Sequence, residues 1–188
     1  MNLPNKLTVA RILLVPVFMV FASLSAARGT ALWYILAGVV FAAASITDTL
    51  DGRIARSRGL VTDFGKFADP LADKILTTTA FIYMMLEGVC HPVVLVLVLF
   101  REFAVSGLRM VAAGSQDGRV IAANMWGKVK TTVQMLSIVF FYFGRGIWTA
   151  SGAVWTASRA LCWLCAALTV ISGVKYFADN RHFIAGTK

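Results

Sequence analysis

The chain has 188 residues, of which 59% are hydrophobic and only 14% charged, and its mean hydropathy is +0.76. This composition excludes an ordinary soluble domain, in which about a quarter of the residues are charged. A net charge of +9 would suggest a nucleic-acid partner in a soluble chain, but beside long apolar segments it indicates contact with anionic lipid headgroups. We therefore expect membrane lipids, and no nucleic acid, as partners.

Apolar runs follow one another along the chain, and each is long enough to cross a bilayer, which takes about 20 residues. Short connections containing glycine, proline or charged residues separate them. The sequence therefore predicts an all-α integral membrane protein, with six transmembrane helices in a single bundle and one domain over residues 1–188. The predicted helices run roughly from Leu7 to Ala27, Ala31 to Arg56, Gly65 to Gly88, Pro92 to Ala113, Val129 to Trp148 and Val154 to Ala178.

Basic residues are divided unevenly between the two ends of this predicted bundle. An even number of helices puts both termini at the same end, and cytoplasmic loops carry an excess of Lys and Arg. The end with the termini holds Lys6, Arg53, Arg56, Arg58, Lys66, Arg109, Arg119, Lys128, Lys130, Lys175, Arg181 and Lys188, whereas the other end holds Arg28, Arg145 and Arg159. We predict that both termini are cytoplasmic.

Acidic residues are scarce, yet Asp48, Asp51, Asp63, Asp69 and Asp73 lie where the second predicted helix ends and the third begins. Crowded carboxylates near lipid are tolerated when cations, counter-charges or water are close. Residues three or four apart share a helix face, which pairs Asp48 with Asp51 and Asp69 with Asp73. If these faces meet, four carboxylates converge, which suits Mg²⁺ or Mn²⁺ and the stabilisation of phosphoryl transfer.

Small residues accompany the carboxylates. Gly52 and Ala55 continue the face of the first pair at helical spacing, and Gly65 lies one turn before Asp69. They leave room for a flat nucleotide to approach the backbone, and Arg56 on the same face could pair with a phosphate. Taken singly, these small residues are equally compatible with helix packing.

Asp69 has an alternative interpretation of its own. Asp69-Pro70 could be a helix N-cap followed by proline at the first helical position, an arrangement without a catalytic role. It would not account for the other three aspartates.

The whole pattern, Asp48-x2-Asp51-Gly52-x2-Ala55-Arg56-x8-Gly65-x3-Asp69-x3-Asp73, resembles the signature of the CDP-alcohol phosphotransferase family at every fixed position. The resemblance implies a six-span homodimer with a cytoplasm-facing site that holds two ions of Mg²⁺ or Mn²⁺. It implies that Asp48, Asp51 and Asp69 bind metal and that Asp73 lies at the metal site and is the general base. The CDP group would contact Asp48, Asp51, Gly52, Ala55, Arg56 and Gly65.

Along nearly the whole chain, the sequence most resembles bacterial family members that transfer the phosphatidyl group of CDP-diacylglycerol to sn-glycerol 3-phosphate. The resemblance includes segments from Asn5 to Arg11, from Asp69 to Lys74, from Arg101 to Glu102, from Gly107 to Arg109 and from Gly127 to Thr132. The resemblance thus implies a multi-pass enzyme of the bacterial inner membrane.

A phosphorylated acceptor is a dianion and needs cations near the metal site. Arg101 and Arg109 lie on the fourth predicted helix, and Lys128 and Lys130 open the fifth, where a helix N-terminus also favours anions. We predict that all four bind the acceptor phosphate, although the two lysines are also compatible with a topological role alone. Arg101 lies midway along a span, where a cation is costly, so we expect Glu102 or an aspartate as its partner.

Two other functions are compatible with the sequence. The same chemistry could use inositol phosphate, serine or phosphatidylglycerol as acceptor. A cation transporter is a rival from another class, since carboxylates within a membrane also line ion pathways. The position of the aspartates at the cytoplasmic end of two helices, beside Arg56, disfavours the transporter.

Overall fold

The computed structural model describes residues 3–57, 63–114, 125–148 and 151–181, with only the backbone for residues 3–7, 48–57, 63–67, 69, 113 and 114. These ranges contain helices and, within them, no strand, which confirms the predicted all-α class. The helices are α1 (Leu3–Arg28), α2 (Ala31–Ser57), α3 (Asp63–Leu86), α4 (Pro92–Gly114), α5 (Met125–Ile147) and α6 (Gly152–Asp179).

The helix boundaries agree closely with the apolar runs, and the largest differences are two early starts. α1 begins at Leu3 where the sequence predicted Leu7, and α5 begins at Met125 where it predicted Val129. The added residues include Asn5 and Lys6 in α1 and Lys128 in α5, which an apolar criterion leaves out.

Two glycines form the tight turns that reverse the chain. Gly29 and Gly88 have positive φ angles of 64° and 73°, a conformation that other residues rarely adopt. The Gly29 amide donates to the Ser25 carbonyl at 2.8 Å, and the Gly88 amide donates to the Met85 carbonyl at 2.9 Å, which satisfies carbonyls left open at the helix ends. α1 and α2 are thereby antiparallel neighbours.

An apolar core runs along the bundle axis. α1 packs on α2 and α3, α5 packs on α2 and α6, and α4 packs on α6 and more sparsely on α3. At its centre the Phe18 ring lies 5.9 Å from the Phe41 ring and 5.4 Å from the Tyr142 ring. Large apolar side chains such as Val96 and Phe100 also point outward, as expected of helices that face lipid.

Within the described residues, two helical segments are long and apolar enough to cross a membrane. Thr8–Arg28 has a mean hydropathy of 2.1 and Gly152–Asp179 of 1.6, and Ala31–Thr47 is a shorter apolar segment. The other helices carry charged residues within their length, among them Arg101, Glu102 and Arg109 in α4. The helical bundle is thus confirmed, and six spans stay a prediction.

Candidate functional site

The backbone of α2 and α3 carries the four aspartates at the predicted spacing. Asp48 and Asp51 lie in α2, and Asp69 and Asp73 lie in α3, each pair within one continuous helix. Only Asp73 has a described side chain. The contacts of the others, and of Gly52, Ala55, Arg56 and Gly65, lie outside the described residues.

The course of α3 decides between the two interpretations of Asp69. The helix begins at Asp63 and contains Pro70 in its interior. Asp69 therefore lies well inside the helix, and the N-cap interpretation is excluded. An interior proline removes one backbone hydrogen bond and clashes with the preceding turn, so α3 carries a locally weakened turn beside its two aspartates.

Asp73 is half-buried on the inner part of α3. Its backbone carbonyl accepts a hydrogen bond from Thr77 Oγ1 at 3.0 Å, and its neighbours Ala72 and Leu76 are buried in the packed interior. The packing of this turn holds the backbone of Asp73 in place.

Basic side chains from three helices gather around Glu102, in the middle of α4. Glu102 Oε1 accepts hydrogen bonds from Lys130 Nζ at 2.7 Å and from Arg101 Nη1 at 3.2 Å. Arg101 Nη2 donates to Ser172 Oγ on α6 at 2.8 Å. The structure therefore brings together two of the four cations predicted for the acceptor and confirms Glu102 as the partner of Arg101.

Lys74 is a member of this group that the sequence prediction did not include. Its Nζ donates to Ser106 Oγ and, at 3.4 Å, to the Glu102 backbone oxygen, and it lies 5.8 Å from the centre of the Phe103 ring. The available signal was a cation directly after Asp73 in the sequence. We call Lys74, Arg101, Glu102 and Lys130, with Ser106 and Ser172, the cation cluster.

Gly127 lets Arg101 lie against the backbone of α5. A Cβ atom at this position would be 2.8 Å from Arg101 Nη2 and 3.8 Å from Ser172 Oγ. The guanidinium group therefore occupies the space that a side chain at residue 127 would take. The absence of a side chain at Gly127 thus allows the Arg101 side chain to extend to Ser172 on α6.

Arg109 and Lys128 lie apart from the cation cluster. Arg109 Nε donates to the Tyr176 hydroxyl at 3.0 Å, and its guanidinium group lies 5.6 Å from the centre of that ring. Lys128 is exposed on α5, whereas Lys130 is fully buried, because residues two apart point to nearly opposite sides of a helix. Their acceptor roles stay predictions without a described contact to the cluster.

An apolar cavity of about 340 Å³ adjoins the cation cluster. It lies between α3 and α4 and is lined chiefly by apolar side chains, with Lys74 and Glu102 also in its wall. The arrangement places charged groups directly beside apolar space. Such a boundary suits a molecule that is polar at one end and apolar at the other.

A second polar group, the far-end cluster, consists of Tyr34, Glu87 and Arg145. Tyr34 is near the start of α2, Glu87 follows the end of α3 and Arg145 is in the last turn of α5, so the group lies at the end of the bundle opposite the aspartates. The Tyr34 hydroxyl donates to Glu87 Oε2, and the Arg145 guanidinium group lies 5.3 Å from the centre of the Tyr34 ring.

The four aspartates supply the donors that a hard divalent cation prefers, namely carboxylate oxygens. α2 and α3 contact each other, and a short connection, residues 58–62, joins their ends. Both carboxylate pairs thus belong to the same end of two adjacent helices, which fits a magnesium or manganese site. Among the described side chains, no group of three or more potential ligands is placed to hold a metal, but most of these aspartates lie outside that set.

Comparison with known proteins gives a consistent result. A family model described as CDP-alcohol phosphatidyltransferase matches residues 1–171. A Bacillus subtilis protein named CDP-diacylglycerol--glycerol-3-phosphate 3-phosphatidyltransferase is 38% identical over 95% of both chains, and a Rickettsia felis protein of the same name is 37% identical over 97% of both. A Mycobacterium tuberculosis protein named probable phosphatidylglycerophosphate synthase is 37% identical over all of this chain and 85% of its own length.

Proposed function

The chain belongs to the CDP-alcohol phosphatidyltransferase family, and we propose that it makes phosphatidylglycerophosphate and CMP from CDP-diacylglycerol and sn-glycerol 3-phosphate. Relatives named for this reaction match almost the full length of the chain. Among the structural observations, the meeting of Arg101 and Lys130 at one partly buried carboxylate carries the most weight, because it concerns the acceptor.

The cation cluster is our candidate for the site of the acceptor phosphate. Lys74, Arg101 and Lys130 contribute three positive charges to the cluster, against one carboxylate from Glu102. A dianionic phosphate would balance this excess and would accept charge-assisted hydrogen bonds from arginine and lysine. An acceptor without net charge, such as serine, would leave the excess positive charge unbalanced.

Asp73 is our candidate for the general base. It takes the proton from the acceptor hydroxyl while that oxygen bonds to the lipid-bearing phosphorus of CDP-diacylglycerol. The bond from this phosphorus to the oxygen of CMP breaks, and CMP leaves with the electron pair. Asp73 and Lys74 are consecutive on α3. From the same turn of this helix, Asp73 could contact the hydroxyl of a small acceptor and Lys74 its phosphate.

Asp48, Asp51, Asp69 and Asp73 would hold the divalent cations, which we propose are two ions of Mg²⁺ or Mn²⁺. Bound there, the ions would neutralise charge that develops on the phosphate oxygens. The same two helices also carry Gly52, Ala55, Arg56 and Gly65. We propose that these four residues contact the CDP group. The apolar cavity beside the cation cluster supports a substrate with a lipid portion.

We further propose a homodimer that crosses the bacterial inner membrane six times, with both termini and the site facing the cytoplasm. The distribution of basic residues supports this orientation. Arg28 and Arg145 lie in the last turns of α1 and α5, at the end opposite the cation cluster. Access from the cytoplasm suits a charged, water-soluble acceptor that cannot cross the bilayer.

The test of the reaction is an acceptor panel. Purified protein receives CDP-diacylglycerol, Mg²⁺ or Mn²⁺, and labelled glycerol 3-phosphate, inositol phosphate, serine or phosphatidylglycerol in parallel reactions. We expect labelled lipid from glycerol 3-phosphate, and failure there would refute the assignment. In proteoliposomes, CMP release without metal flux would exclude the transporter.

Asp73→Asn tests the base. The amide keeps the size of the side chain but cannot accept the proton, so we expect turnover to fall by at least about 100-fold. The variant should still accumulate in the membrane, because the packing of α3 involves its apolar neighbours. A normal rate in this variant would remove Asp73 from the proposed role.

A further inference from the structure

Glu102 connects the two cations that we assign to the acceptor phosphate, and its own role therefore rests on that proposed function. One oxygen of Glu102 accepts hydrogen bonds from Lys130 Nζ at 2.7 Å and from Arg101 Nη1 at 3.2 Å. The two donors belong to different helices, α5 and α4. The carboxylate therefore fixes the distance between two charges that would otherwise repel each other.

Burial makes this connection necessary. The Lys130 side chain is 1% exposed and the Arg101 side chain 12% exposed, so neither can turn fully into water. Like charges repel more strongly where the dielectric is low. A carboxylate between them offsets the repulsion, provided that its hydrogen bonds have good geometry.

Further contacts fix the same group from other sides. Arg101 also donates to Ser172 at 2.8 Å, and its guanidinium group fills the space beside Gly127. Lys74 donates to the backbone oxygen of Glu102 at 3.4 Å. Residues from α3, α4 and α5 thus meet at Glu102, and Arg101 extends the connection to α6.

We infer that Glu102 is a positioning residue for the acceptor: it holds Arg101 and Lys130 at a spacing from which both can donate to one phosphate. A phosphate accepts several charge-assisted hydrogen bonds at once. Donors that are already ordered lose less side-chain freedom on binding, which preserves affinity. Loss of the Glu102 charge releases the two cations and weakens acceptor binding, whereas the aspartates that serve CDP-diacylglycerol are unaffected.

Glu102→Gln in the full chain tests this inference, with kcat and KM measured for both substrates. We expect the KM for glycerol 3-phosphate to rise about tenfold or more, as for the loss of a hydrogen bond to a charged group. The KM for CDP-diacylglycerol should stay within about twofold. The matched control is Glu87→Gln in the far-end cluster, which should leave both KM values unchanged.

Two results would overturn the inference. One is a folded Glu102→Gln enzyme whose KM for glycerol 3-phosphate is unchanged or lower; the other is an equal rise in both KM values. If this variant does not accumulate, Glu102→Asp provides the same test, because it keeps the charge but withdraws the oxygen from Arg101 and Lys130. Its KM for the acceptor alone should rise, by about threefold, and an equal or absent change would again refute the role.

The wild-type reaction separates this inference from the proposed function. Wild-type protein that does not label lipid from glycerol 3-phosphate refutes the reaction itself. Wild-type protein that does so, together with a Glu102→Gln enzyme altered equally toward both substrates, refutes only the role of Glu102.

Discussion

The cation cluster and the far-end cluster are both partly buried polar groups between helices, but they differ in charge. The far-end cluster pairs one acid, Glu87, with one base, Arg145, through Tyr34. The cation cluster has three bases around Glu102. A group with balanced charges is complete once the helices have packed, whereas three cations beside one carboxylate, as counted among the described side chains of the cation cluster, can accept an anion.

This difference indicates distinct roles for two sites that look alike in composition. The far-end cluster ties α2, α3 and α5 together at the end opposite the aspartates. The cation cluster adjoins Asp73 on α3 and an apolar cavity. We therefore expect substitutions in the far-end cluster to lower the free energy of unfolding. Substitutions in the cation cluster should instead weaken binding of the acceptor.

Among the substitutions that test this division of roles, Lys130→Ala should have the largest effect. It removes a fully buried cation and leaves Glu102 and Arg101 to pair with each other. We expect kcat/KM for glycerol 3-phosphate to fall about 100-fold, equivalent to about 3 kcal/mol for a charged hydrogen bond. Initial rates at varied acceptor concentration measure it, and an unchanged value in both Lys130→Ala and Arg101→Ala would discard the proposed acceptor site.

Glu87→Ala tests whether the far-end cluster stabilises the fold. It removes the acceptor of the Tyr34 hydrogen bond and the carboxylate that accompanies Arg145. We expect the free energy of unfolding to fall by about 2 kcal/mol, which lowers the midpoint of thermal unfolding in detergent by about 4–8 °C. A raised KM for glycerol 3-phosphate, without loss of stability, would contradict the division of roles.

Gly127→Ala should produce a smaller effect, and only on the KM for the acceptor. The new Cβ atom would be 2.8 Å from Arg101 Nη2, so the guanidinium group must shift away from α5 and Ser172. We expect the KM for glycerol 3-phosphate to rise about fivefold, since one charged hydrogen bond is strained and not lost. Gly107→Ala on α4 is the matched control, because a Cβ atom there meets nothing within 4 Å.

Lys128→Ala should have the smallest effect. Its side chain is exposed on α5, two residues from buried Lys130, so it makes no described contact with the cation cluster. We expect the KM for the acceptor to change by less than about twofold, as for a screened surface charge. A rise as large as that of Lys130→Ala would return Lys128 to the acceptor site.

The sequence alone determined the helical class, the approximate helix boundaries and the aspartate pattern. Apolar runs predict helices because a chain in lipid must satisfy its backbone hydrogen bonds internally, and the spacing of Asp69 and Asp73 follows directly from helix geometry. The family resemblance rested on local spacing as well. None of these conclusions required knowledge of which helices are neighbours.

Only the tertiary structure decided which cations meet. The sequence assigned all four of Arg101, Arg109, Lys128 and Lys130 to the acceptor, but packing directs Arg109 to Tyr176 and leaves Lys128 exposed. The same packing adds Lys74 and places Ser172, far away in the sequence, beside Arg101. It also excluded the N-cap interpretation of Asp69, because α3 begins at Asp63 and continues through Asp69 and Pro70. The physical reason is that spacing fixes which residues share one helix face, whereas contacts between helices depend on how the faces pack.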